Sequence, residues 1–305
     1  MPYRLKPQER VQSGIQRIAL EQLERAAQAL EREPPVEAVH ELRRRCKKLR
    51  ALVRLVRPAL GERYTEENLR YRDLARRVAG QRDDQVLIET FEGLLAHYKP
   101  EIDKRQFTAI RQRLSDWRER SLADMPARET LIAGLSQAKE ALNEWQLSTP
   151  GFDAVVGWEA TYARGREALA TARVSPTTEA LHALRKRVKY HRYHCALLTA
   201  LWSAPLKARE AEAHRLSDCL GEDHDLAVLA ARLDHEAFSR VNPERLAALE
   251  RLIQRRRDAC QAEAWPLGRR LFAEPPKPMR KRLKRYWKIA HFESACHSDS
   301  AHARS

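Results

Sequence analysis

Two stretches of the sequence carry a histidine followed by cationic residues at regular spacing. The cations return at steps of three and four residues, which places them on one face of a helix. Guanidinium and ammonium groups in such a row can hold an anion by charge-assisted hydrogen bonds, and a long, doubled row suits a linear polyanion. The candidate anion ligands are His40, Arg43, Lys47, Arg50 and Arg54 in the first stretch and His182, Arg185, Lys189 and Arg192 in the second.

The two stretches belong to an internal repeat. Shifting the chain by 142 residues aligns residues 37–87 with 179–229 without a gap, and His40 then falls on His182. A single basic stripe is usually a solvated helix face, and a single histidine usually has a structural role. The same histidine and cations in one register, found twice, favour an anion site. We interpret the chain as a tandem duplication whose halves meet near Pro150-Gly151.

Each cationic row lies beside an apolar seam that must position it. The seam residues also step by three and four, so they predict a helix face buried in a bundle. His191 falls in this seam and is expected to need a buried hydrogen-bond partner or a seam edge open to solvent. The seams are Val39, Leu42, Cys46, Leu49, Val53 and Val56 in one copy and Leu181, Leu184, Val188, His191, Cys195 and Leu198 in the other.

Composition agrees with an all-α protein. Strong helix formers dominate, glycine is scarce at 10 residues, and apolar residues recur at helical spacing almost throughout the 305-residue chain. Each half holds about four substantial helices, which predicts two four-helix bundles. Residues 291–305 are expected to form a flexible C-terminal tail.

Charge and cysteine usage narrow the function classes. Lys+Arg 57 against Asp+Glu 42 leaves a net charge of +15, which predicts a polyanionic partner such as nucleic acid, an anionic membrane or another phosphate polymer. The five cysteines form no CxxC pair, so neither a zinc site nor a disulfide framework is expected. We find no signal peptide or membrane-spanning run and expect a cytoplasmic protein with no membrane partner.

A second repeated element follows each basic stretch. Arg82-Asp83 aligns with His224-Asp225, and both pairs are expected to lie at the start of a helix after a short turn. An acid in the first helical turn complements the helix dipole, so a capping role is favoured for both aspartates.

These motifs resemble the CHAD family, the conserved-histidine α-helical domain. The resemblance rests on V-H-x-L-R…K-K-L-R in residues 39–50, on L-H-x-L-R-K-R-x-K…R-Y in residues 181–193 and on the second repeated element. It implies one domain over residues 8–290, made of repeats at about 8–149 and 150–290. It also implies that a pseudo-two-fold axis relates the two bundles, with a basic groove or pore between them.

The resemblance further implies binding of inorganic polyphosphate and association with polyphosphate granules, with polyphosphate-metabolising enzymes as further candidate partners. The implied ligands are the cations of the two rows together with Lys186. Tyr190 and His191 depart from the family pattern, which has another basic residue and a leucine there. A binding module is expected, without catalytic residues, metal or cofactor.

Two alternatives remain open. The net charge and the basic segment 277–288 would suit a nucleic-acid-binding protein, although no recognised reader motif is present. His224-Asp225, with His214 and His235 nearby, would suit a metal phosphohydrolase of the HD type. The aligned pair in the first half is Arg82-Asp83, and arginine does not bind metal, so that site would exist in one half alone.

Overall fold

The computed structural model describes residues 3–123, 126–234 and 238–302, with the side chains in those ranges except at 81–83, 121–123 and 295–302. The described residues are all-α and contain no strand, which confirms the predicted class. The helices before residue 150 are α1 (Val11–Arg32), α2 (Pro35–Leu55), α3 (Arg57–Leu60), α4 (Arg63–Arg76), α5 (Ala79–His97), α6 (Thr108–Ala123) and α7 (Arg128–Glu140). Short 3₁₀ segments, Lys104–Phe107 and Ala141–Glu144, precede α6 and follow α7.

The chain after residue 150 is also helical and includes three helices longer than 25 residues. One 3₁₀ segment, Thr199–Leu201, separates two of the helices. The helices are α8 (Gly151–Ala154), α9 (Gly157–Val174), α10 (Thr178–Leu197), α11 (Ser203–Leu233), α12 (Pro243–Leu271) and α13 (Pro276–His302). None of the described helices is long and apolar enough to span a bilayer.

The predicted seams are the buried faces of α2 and α10. All twelve seam residues are buried, and none is more than 3% exposed. His191 is buried with them, and Arg209 Nε donates a hydrogen bond to its Nε2 at 2.9 Å. The seam prediction is confirmed, together with the expectation that His191 would need a partner.

The buried side chains form two clusters, and each draws on both halves of the sequence. The larger cluster includes seam residues of both α2 and α10. The smaller one joins α5 and α6 to the C-terminal part of α11 and the beginning of α12. The junction at Pro150-Gly151 is therefore not a boundary between two hydrophobic cores.

Gly157 lets the two halves approach closely. It stands at the first position of α9, against the C-terminal end of α2. A Cβ at Gly157 would lie 2.6 Å from the carbonyl oxygen of Leu55 and closer still to that of Arg54. Only glycine fits this approach, which holds α9 against the turn of α2 that carries Arg54.

The second repeated element differs from its prediction in the C-terminal half. His224 and Asp225 lie in the interior of α11, which runs unbroken through Gly221, so the capping role expected there is wrong. Leu220-Gly221 looks like a helix end in the sequence, but the helix continues because the Arg185 guanidinium packs over this glycine. A Cβ at Gly221 would lie 3.2 Å from Arg185 Nη2.

In the first half the element does follow a turn. Helix α4 ends at Arg76 and α5 begins at Ala79, so Arg82 and Asp83 lie near a helix start. Their side chains lie outside the described residues. At the other end of the chain, α13 continues to His302, so most of the segment 291–305 that was expected as a tail has helical backbone.

Candidate anion-binding site

The two repeated helices, α2 and α10, pack directly against each other. His194 Nε2 of α10 donates a hydrogen bond to the carbonyl oxygen of Ala51 in α2 at 2.9 Å, and both groups are buried. This contact fixes the position of one helix against the other. The cationic rows that flank the two seams are thereby brought to the same region of the molecule.

The C-terminal end of the first row is held by neighbouring side chains. The Arg54 guanidinium lies over the ring of Tyr190, with 4.1 Å from its central carbon to the ring centroid. Arg54 Nη1 also donates to the carbonyl oxygen of Arg50 at 2.8 Å, while Arg50 Nε donates to Asn68 Oδ1 at 3.2 Å. Burial lowers the pKa of Arg54, and the charges of Arg50 and Arg187 lower it further.

The N-terminal part of the first row faces solvent. His40 and Lys47 are exposed and Arg43 is half-buried. Lys47 lies near enough to Lys189 of α10 to lower the pKa of that lysine. The structure therefore brings the middle of the first row close to the second row.

Lys189 is the most strongly perturbed cation of the two rows. Burial lowers its pKa to about 7, and the charges of Arg185 and Lys47 act in the same direction. Asp225 and Asp218 oppose this shift without cancelling it. Cations that depress one another's pKa in this way would be stabilised by a bound anion, which favours their charged forms.

His182 stacks against a histidine from the neighbouring helix. The ring centroids of His182 and His224 are 4.1 Å apart. Burial lowers the pKa of each to about 4, assisted by Lys186, Arg185 and Lys189. Both Nδ1 atoms are buried without a hydrogen-bond partner among the described residues. Lys186 itself is exposed.

Arg185 lies between the histidine pair and an acid. Its Nη1 is 3.5 Å from Asp225 Oδ1, and its guanidinium packs over Gly221. Its Nε is buried and finds no partner within the part of the chain that the structure describes. An ion pair at 3.5 Å is long for a charge-assisted hydrogen bond, so Arg185 keeps donor capacity for a ligand.

Arg192 belongs to a different neighbourhood from Lys189. Its guanidinium carbon is 5.9 Å from the centroid of the Tyr193 ring. Arg44 and Arg45 of α2 also act on Tyr193 and, like Arg192, lower its pKa against the effect of burial. Arg192 is thus grouped with these two arginines of α2, neither of which the sequence analysis had selected.

Three side chains of this region were missed as candidate site residues. His224 was interpreted as part of a helix cap or metal pair, and Tyr190 as a departure from a family pattern. Arg257 of α12 donates to Asp223 Oδ1 at 3.1 Å and lowers the pKa of His224. Arg257 lies outside the repeated window, so no repeat signal could have found it.

A cavity of about 380 Å³ opens beside Arg185 and Lys189, between α5, α10 and α11. Its walls combine these two cations with acidic, small and apolar side chains. Helix α5 belongs to the first half of the sequence and the other two helices to the second. The remaining lining residues are Val86, Glu89, Thr90, Gly93, Leu94, Ser217, Asp218, Gly221, Glu222, Asp225 and Leu226.

The residues of the HD-type alternative are engaged elsewhere. His214 Nδ1 is 2.6 Å from Asp218 Oδ2, and the ring of His224 faces His182. His235 lies outside the described residues. Across residues 3–123, 126–234 and 238–302, no three His, Cys, Asp or Glu side chains are grouped so that they could hold a metal ion.

Several cations of the basic segment 277–288 form ion pairs within the chain. Arg280 lies 3.1 Å from Glu159, Lys284 lies 3.8 Å from Asp153, and Arg282 pairs with Glu274. The arrangement at α2 and α10 differs, because there several cations face one another. That geometry can bind anions by charge and by buried N–H donors.

Comparison with known proteins gives the family. Among curated proteins, none matches this chain. The family model described as the CHAD domain matches residues 15–234, which includes both repeated helices and the whole of the cavity lining. The larger span of 8–290 stays a prediction. The protein belongs to the CHAD domain family.

Proposed function

We propose that the protein binds inorganic polyphosphate along the facing cationic rows of α2 and α10. The proposal rests on membership of a family known for polyphosphate binding. The observation that carries it is the mutual repulsion of Lys47, Arg185 and Lys189, which burial intensifies and which leaves the pKa of Lys189 at about 7. A polyanion lying between these side chains relieves that repulsion.

The binding mode is electrostatic. Arg and Lys donors hold successive phosphate groups through charge-assisted hydrogen bonds, each worth about 1.5–3 kcal/mol. His182 and His224 are neutral at neutral pH and present N–H donors, or become cationic when a bound anion favours their charged form. Binding releases counterions from the polymer and therefore weakens steeply with added salt.

The finer parts of the account follow from the same proposal. The ligands are His40, Arg43, Lys47, Arg50 and Arg54 of the first row and His182, Arg185, Lys186, Lys189 and Arg192 of the second. The repeats at 8–149 and 150–290 form two four-helix bundles around a pseudo-two-fold axis, with the basic groove between them. The protein acts without catalysis in the cytoplasm at polyphosphate granules, where polyphosphate-metabolising enzymes are its candidate partners.

Nucleic-acid binding is the alternative that the net charge supports. Its strongest segment is 277–288, but Arg280, Arg282 and Lys284 of that segment already pair with acids of the same chain. These pairs reduce the charge that α13 offers to a second polyanion. The alternative therefore has less support than polyphosphate binding at α2 and α10.

Calorimetric titration with long-chain polyphosphate, with duplex DNA as competitor, tests the proposal. We expect binding that DNA does not displace and that weakens between low and high salt. Displacement by DNA at equal phosphate concentration would favour the nucleic-acid alternative. Release of orthophosphate during the titration would contradict a purely binding role.

A further inference from the structure

The cavity between α5, α10 and α11 has separated charges. Arg185 and Lys189 enter it from α10. Four carboxylate side chains also line it, and one of them, Glu222, is held by Arg256 through two hydrogen bonds of 2.6 and 2.7 Å. Asp218 and Asp225 lie near enough to Lys189 to act on its pKa. The cavity is therefore not the uniformly basic surface that a bare polyanion prefers.

Ser217 supplies independent evidence for a ligand. Its side chain lines the cavity and the residue is 1% exposed. Its Oγ has no hydrogen-bond partner anywhere in the described structure. A buried hydroxyl left without a partner costs about 1–3 kcal/mol, so such groups usually face a ligand or an ordered water. Ser217 points to a polar occupant of this cavity.

The charges define the chemistry of that occupant. A phosphate group alone would be attracted by Arg185 and Lys189 but repelled by the carboxylates across the cavity. A divalent cation bound to the phosphate removes that conflict. Mg²⁺ in particular is commonly held by one or two carboxylates together with phosphate oxygens and water. Asp218 and Asp225, two turns apart on α11, can supply that number of carboxylates.

We propose that this cavity binds a phosphate group of the polyphosphate chain together with a hydrated divalent cation. Asp218 and Asp225 hold the cation, while Arg185 and Lys189 hold the phosphate oxygens. The hydroxyl of Ser217 bonds to a phosphate oxygen or to water of the cation. This inference rests on the proposed function and adds to it that one end of the bound polymer is recognised as a metal complex.

Mn²⁺ with tripolyphosphate tests the inference through water-proton relaxation. A Mn²⁺–phosphate complex fixed in the cavity tumbles with the protein, so its relaxation enhancement rises severalfold over the complex in buffer. We expect this rise in the wild type and in Asp258→Asn, a matched charge change on α12, and its loss in Asp218→Asn. In EDTA, Asp218→Asn should bind long-chain polyphosphate at least as tightly as the wild type, because it removes an opposing charge.

The outcomes separate this inference from the proposed function. Equal enhancement in Asp218→Asn and Asp258→Asn would overturn the cation site. Absence of enhancement in the wild type, with polyphosphate still bound in EDTA, would also overturn it and leave the proposed function standing. Absence of polyphosphate binding both in EDTA and with Mn²⁺ would overturn the proposed function and this inference with it.

Discussion

His182 and His224 face each other across the contact between α10 and α11, with ring centroids 4.1 Å apart and ring planes inclined by 36°. The pair comes from two repeated motifs of the same half, and the Arg185 guanidinium lies beside it. Two imidazoles this close, surrounded by Arg and Lys, resist protonation. The pair thus couples the charge state of the site to pH.

Acid should destabilise the protein through these histidines. Burial and neighbouring cations lower the pKa of both from 6.5 to about 4. Between pH 6.5 and 4 the unfolded chain takes up protons that the folded chain refuses, so the free energy of unfolding falls as pH falls through this window. Urea unfolding at pH 7 and pH 5 measures the loss. The double variant His182→Gln/His224→Gln should lose less than the wild type, and an equal loss would contradict the account.

Polyphosphate binding should take up protons near neutral pH. Burial and the charges of Arg185 and Lys47 leave the pKa of Lys189 at about 7, and a bound polyanion favours the ammonium form and raises that pKa. Affinity should therefore fall as pH rises above 7. Calorimetry in two buffers of different ionisation enthalpy gives the proton count. Lys189→Met should bind more weakly and take up fewer protons, whereas an unchanged count would exclude Lys189 as the source.

Tyr190 should support the anion site by holding Arg54. The guanidinium lies 4.1 Å from the ring centroid, a contact worth about 0.5–2 kcal/mol when it is partly desolvated. Tyr190→Ala should lower the free energy of unfolding by at least that amount, since packing is also lost, and should weaken polyphosphate binding a fewfold. Tyr190→Phe keeps the ring and serves as the control. Equal losses in the two variants would show that the hydroxyl, and not the ring, is the important group.

Asp225 should compete with polyphosphate for Arg185. Its Oδ1 lies 3.5 Å from Arg185 Nη1, so the acid occupies part of the donor set and repels phosphate. In EDTA, Asp225→Asn should bind polyphosphate severalfold more tightly, as measured by calorimetry, while Asp258→Asn should match the wild type. Weaker binding by Asp225→Asn would mean that Asp225 chiefly positions Arg185.

The sequence predicts the parts of the fold that depend on local periodicity. The seam from Val39 to Val56 could be identified because a helix buries every third or fourth residue. Gly221 was misinterpreted because the same residue serves a helix end and a close approach by another side chain, and only the position of Arg185 distinguishes them. The proximity of Lys47 to Lys189 depends on how α2 packs against α10, which the spacing of either row leaves undetermined.

The site was predicted in its cations and missed in its surroundings. The repeat marked His182 and Arg185, because duplicated residues stand out in a single sequence. Arg257 has no repeated counterpart and reaches the site through the packing of α12 on α11. The acidic side chains of the cavity, such as Asp218, carry no local signal either. Their positions follow from tertiary contacts between helices that are distant in the sequence.

Charge reversal at the facing lysines tests the central claim most directly. Lys47→Glu/Lys189→Glu is compared with Lys277→Glu/Lys281→Glu, which makes the same charge change on exposed positions of α13. Loss of charged hydrogen bonds worth about 1.5–3 kcal/mol each predicts that the first variant binds polyphosphate more than tenfold more weakly, with a shallower salt dependence. The second variant should stay close to the wild type. Equal weakening in both variants, with folding intact by circular dichroism, would show that net charge and not the α2–α10 site binds the polymer.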